Sequence, residues 1–61
     1  MPEIIVHCVE GRTAAQKKAL CADITAAVTR HFGAPIEAVT VSIVEARRDS
    51  KMKAGVMFSE T

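Results

Sequence analysis

The sequence predicts an α/β (α+β) fold: a β-α-β protomer with two parallel strands, closed by a short C-terminal strand or hairpin. Three observations predict it. Two segments rich in β-branched residues alternate in polarity, at 3–9 (EIIVHCV) and 39–45 (VTVSIVE). Between them lies a segment with helix signals at both ends, long enough to carry the chain back so that both strands run the same way. Gly and Pro then mark the turns.

In the first strand, Ile4, Val6 and Cys8 make one uniformly apolar face, while Glu3, Ile5, His7 and Val9 make a mixed one. The segment "EGRT" ends it. Thr13 followed three residues later by Gln16 is a capping-box signature, and Gly33 stands where a helix needs a left-handed terminator, which sets a helix over 13–32. At ~100° per residue, Leu20, Ile24, Ala27, Val28 and His31 fall on one side, flanked by Cys21 and Phe32, and are expected to lie on the sheet. Ala15, Ala19, Ala22 and Ala26 form a second stripe on nearly the opposite side. Small side chains there suit close approach by a second helix, and Ala is also simply the best helix former.

Pro35 excludes Ala34 from helical geometry, so "GAPIEAV" reads as a turn. In the second strand Val39, Val41 and Ile43 share a face opposite Thr40, Ser42 and Val44. The tail "ARRDSKMKAGVMFSE" reads as a charged loop and a short terminal strand near 56–58.

The 61 residues make a single domain, 1–61, and a lone domain of this size buries only about 60% of its unfolded surface. Yet 49% of the residues are hydrophobic, mostly Ala, Val and Ile. Interfaces between copies of the chain explain that surplus. A net charge of +1 argues against a dedicated nucleic-acid binder. No apolar run approaches the ~20 residues that span a bilayer. With only Cys8 and Cys21 and no secretory signal, the expected location is cytoplasmic, with reduced thiols.

Adjacent His7 and Cys8 point to opposite faces of a strand and cannot share a metal. Cys21 and His31 lie ~15 Å apart along the helix. All four are read as structural, and Met52, Met57 and Phe58 as packing residues.

Pro2 is the chemically unusual residue. Methionine before a small residue is commonly removed, which would turn the Pro2 nitrogen into a secondary amine. α-Amino groups titrate near ~7.7 to 8.0, within reach of a proton shuttle at neutral pH. The plain alternative is that proline merely opens a strand.

The combination of "MPEIIVHCVEGRT", a capped helix with "QKKAL", "GAPIEAVTVSIVE" and an "AG" before "FSE" resembles the 4-oxalocrotonate tautomerase family over essentially the whole chain. Pro2, Glu10–Arg12 and the Ala34–Pro35 turn are the most specific pieces. The resemblance implies that two protomers pair into a four-stranded sheet and three dimers form a homohexamer. It also implies keto-enol tautomerisation of a small unsaturated 2-hydroxy or 2-oxo acid, without metal or organic cofactor. Pro2 would be the general base and acid, and Arg12 the substrate-binding arginine.

Two positions depart from the family pattern. Thr40 stands where a second arginine is usual, and Lys51 where a pocket aromatic is usual. A cation from the loop, Arg47, Arg48 or Lys51, is the expected substitute. The departures also keep open a hydratase or dehalogenase of a small acid, a weakly promiscuous tautomerase, and a non-catalytic oligomeric homologue.

Overall fold

The computed structural model describes residues 2–60. In chain order it contains β1 (Glu3–Val9), α1 (Ala14–Phe32), β2 (Thr40–Ala46), β3 (Met52–Lys53) and β4 (Val56–Met57), with 3-10 turns at Ile36–Ala38, Arg48–Ser50 and Phe58–Glu60.

β1 and β2 pair in parallel, in register from Glu3↔Thr40 to Val9↔Ala46. Two backbone bonds extend the ladder, Thr40 N to Pro2 O at 3.0 Å and Glu10 N to Ala46 O at 2.9 Å. Partners in register share a face, so Ile4 with Val41, Val6 with Ile43 and Cys8 with Glu45 line one side. Helix α1 covers that side and is tied to it by Lys17 Nζ, 3.0 Å from Glu45 Oε1. The other side leaves Ile5 and Val44 about half exposed, at 51% and 47%.

The helix ends form as the residue pattern dictates. Thr13 Oγ1 accepts from Gln16 N at 3.1 Å while Gln16 Oε1 accepts from Thr13 N at 3.0 Å. Gly33 (φ 68°) donates its N–H to Thr29 O. Cys21, Ile24, Ala27 and Val28 are half-buried as expected, and Thr25 and Thr29 join them. The two hydroxyls bond Cys21 O and Ala26 O, which satisfies them near the sheet.

Leu20 is 44% exposed although it lines a crevice against the sheet, and His31 and Phe32, at the C-terminal end of α1, depart from expectation, since both are exposed. A helix of 19 residues runs about 28 Å and strands of seven residues about 23 Å, so one end of α1 overhangs the sheet. The alanine stripe at 15, 19, 22 and 26 is exposed as well.

The second strand begins one residue later than its alternation suggests, because Val39 N bonds Ile36 O and caps the preceding turn. It continues to Ala46, whose carbonyl takes Glu10 N. The tail forms a complete antiparallel hairpin with Met52↔Met57 and Lys53↔Val56. Its two connecting residues, Ala54 (φ 54°) and Gly55 (φ 80°), both take the positive φ of a type I′ connection.

The protomer is elongated, 42 × 22 × 14 Å. Its radius of gyration is 14.5 Å, against about 10.5 Å for a compact domain of this length. Its 4600 Å² of surface exceeds the roughly 3,800 Å² of a folded monomer of this mass. Among the described residues only Val9 is buried. Phe32, Ile36, Met52 and Val56 add to the apolar surface of Ile5 and Val44. No described helix is long and apolar enough to cross a membrane.

Candidate active site

Pro2 heads β1, half-buried, and takes part in the ladder only through its carbonyl, which accepts from Thr40 N. A residue without an N–H suits this place, because the ladder asks it only for an acceptor. The expected removal of Met1 falls on a residue outside those described. Thr40 is the register partner of Glu3 and donates its backbone N–H to the Pro2 carbonyl.

Arg12 leaves the opposite end of β1. Gly11 precedes it with φ 126°, a conformation that residues with a Cβ rarely adopt. Arg12 Nη1 donates to Val9 O at 3.3 Å. The side chain lines a crevice of about 190 Å³ between sheet and helix, with Val6, Cys8, Gln16, Lys17, Leu20 and Ile43. A second hollow, of about 240 Å³, lies under the hairpin against Lys53, Ala54, Val56 and Phe58.

One strand therefore separates the two principal candidates. At about 3.3 Å per residue, Pro2 and Val9 stand roughly 23 Å apart, and Arg12 lies beyond Val9. Pro2 gathers with Thr40 at one end of the protomer, while Arg12 gathers with the loop after β2 at the other.

In that loop Arg47 Nη2 is 2.8 Å from Asp49 Oδ2. Arg48 reaches back toward β1, its Nη2 3.6 Å from where a Cβ on Gly11 would sit. Its backbone N faces Glu10 Oε1 at 3.5 Å. Lys51 is half-buried and its carbonyl accepts from Phe58 N at 2.9 Å. The contact of Arg48 with Gly11 and that of Lys17 with Glu45 were not foreseen from sequence. For Lys17 and Glu45 the only hint was charge complementarity between segments whose approach depends on register. Among the described residues no three His, Cys, Asp or Glu side chains gather as metal ligands would.

Comparison with known proteins agrees with this architecture. The family model described as "Tautomerase enzyme" matches residues 2–61. A probable tautomerase of Bradyrhizobium diazoefficiens is 45% identical over 60 residues, covering 98% of this chain and 90% of its own. A 2-hydroxymuconate tautomerase of Bacillus subtilis is 40% identical, covering 98% and 97%. The crystal structure of a 4-oxalocrotonate tautomerase homologue superimposes with TM-score 0.94 at 36% identity, over 100% of this chain and 97% of the other. A heterohexamer 4-oxalocrotonate tautomerase from Chloroflexus aurantiacus gives 0.88 at 27% identity, over 98% and 97%. A β-α-β unit with a terminal hairpin, headed by proline and matched over nearly its full length, places the chain in the tautomerase family and makes it an isomerase.

Proposed function

We propose that the chain catalyses keto-enol tautomerisation of a small unsaturated 2-hydroxy or 2-oxo acid resembling 2-hydroxymuconate, with Pro2 as base and acid once Met1 has been removed. The observation that carries this reading is the placement of Pro2 and Arg12 at opposite ends of β1. Beyond its pairing with β2, β1 has a second edge that no described strand covers. A second copy paired antiparallel along that edge sets the Pro2 of one protomer beside the Arg12 of the other. Two active sites and a four-stranded sheet result from one two-fold contact. The apolar outer face around Ile5 and Val44 then lies between such dimers in a homohexamer, six chains as in the heterohexamer of the Chloroflexus relative. The single domain of residues 1–61 is thus the repeating unit of a cytoplasmic enzyme with no metal or organic cofactor.

In the proposed reaction, the neutral Pro2 nitrogen takes the proton of the 2-hydroxyl group. The oxygen's electron pair forms the C=O bond, the double bonds shift along the chain, and the far carbon takes the proton back from Pro2. No electrons leave the substrate. The Arg12 guanidinium grips a carboxylate through two N–H donors and favours charge drawn toward it.

Thr40 supports a second reading. It puts an uncharged side chain where the family pattern has a second arginine, as a non-catalytic homologue or a hydratase or dehalogenase of a small acid would tolerate. Ultraviolet monitoring of 2-hydroxymuconate with wild type and Pro2→Ala separates the two. Loss of at least about a hundredfold in kcat/KM on removing the base is the expected result. Equal rates, or an inactive wild type with Met1 removed, would favour the second reading.

A further inference from the structure

We infer that Arg48 supplies the second carboxylate-holding cation of the site, alongside Arg12, and that this pair makes the site selective for dicarboxylates. The inference rests on the proposed binding of a small unsaturated acid, but it concerns recognition and does not involve the proton carrier.

Three cations lie between β2 and β3, and their surroundings differ. The guanidinium of Arg47 is held by Asp49 at 2.8 Å, so its charge is offset within its own turn. Lys51 sits just before β3 with its carbonyl engaged by Phe58 N, and its ammonium is a point charge rather than a fork. Arg48 alone of the three is directed at the exit of β1. Its Nη2 comes within 3.6 Å of the Cβ position of Gly11, the residue that precedes Arg12.

The turn carrying Arg48 is anchored at that exit. Glu10 N bonds Ala46 O at 2.9 Å, joining the ends of β1 and β2. Glu10 Oε1 then faces Arg48 N at 3.5 Å. One residue, Glu10, thereby sets the distance between the strand that leads to Arg12 and the turn that holds Arg48.

Two guanidinium groups therefore emerge at the same end of the protomer, one against residue 11 and the other from residue 12. Each offers paired donors that match a carboxylate. A diacid answers both charges, whereas a monoacid of the same skeleton leaves one cation without its anion.

The test is calorimetric titration of the Met1-free protein with trans,trans-muconate and with sorbate. Both have the same six-carbon diene, and only muconate has a second carboxylate. Wild type should bind muconate at least about tenfold more tightly, the effect of one well-formed charge-assisted pair. Arg48→Ala and Arg48→Gln should both bring the ratio to within about twofold. Arg48→Lys should recover part of it, and Arg47→Ala should keep the wild-type ratio. Circular dichroism and sedimentation identify any variant that has lost its fold, in which case the glutamine or lysine variant decides. A wild type that does not discriminate, or a folded Arg48→Gln with the wild-type ratio, would overturn the inference. Neither ligand has to be turned over, so the ratio is read independently of Pro2. Equal tautomerase rates for wild type and Pro2→Ala would instead remove the catalytic reading and leave the ratio standing.

Discussion

Lys17 Nζ lies 3.0 Å from Glu45 Oε1, joining the first turns of α1 to the far end of β2 across 28 residues of sequence. Both side chains are about one third exposed, at 32% and 30%, so the pair is partly shielded from water. It ties α1 to the sheet next to the Arg12 crevice, of which Lys17 is itself a wall.

Glu45→Gln keeps the shape of the side chain and removes its charge. The expected loss is about 0.5 to 1 kcal/mol in urea unfolding at low salt, shrinking as salt screens the pair. An unchanged midpoint at low ionic strength would show that the contact contributes nothing to stability.

That contact also marks where sequence reasoning ends. The capping box of Thr13 and Gln16, the left-handed Gly33 and the alternation of Ile4, Val6 and Cys8 were legible because each is a local pattern with one geometric solution. Pro2 and Arg12 were legible only as residue types at telling positions. Their separation along β1 emerges once the strand is laid out at its full length. Arg48 could not be told from Arg47 in "ARRD", because the difference lies in which of them turns back onto Gly11 and which closes on Asp49. His31 and Phe32 were misplaced for a related reason. Helical periodicity gives the direction of a side chain but not whether the sheet reaches far enough to cover it.

Ala54 occupies a left-handed position, φ 54°, in the two-residue connection between β3 and β4. A Cβ there meets the carbonyl of its own residue, at a cost of roughly 1 kcal/mol or more. Asn tolerates this conformation and, with Gly55 behind it, makes the Asn-Gly pair that type I′ connections favour. Ala54→Asn should raise stability by about 0.5 to 1 kcal/mol. Thermal unfolding must be compared at equal protein concentration, because association shifts the midpoint of a self-assembling chain. A lower midpoint would mean that the alanine methyl has a packing role elsewhere.

If Pro2 and Arg12 act together from different copies, two inactive variants should repair one another. Pro2→Ala retains a working Arg12, and Arg12→Ala retains a working Pro2. In a mixed two-fold pair one site carries both defects and the other carries neither. Random pairing after dissociation and reassembly gives mixed pairs in half of the dimers, and half of their sites are intact. About a quarter of wild-type activity should therefore return, from proteins that separately have almost none. The same mixture without reassembly should stay inactive, and exchange of subunits can be followed independently by mass. Exchange without recovery would place the working proline and arginine in the same chain, which the length of β1 opposes, and would exclude the shared site.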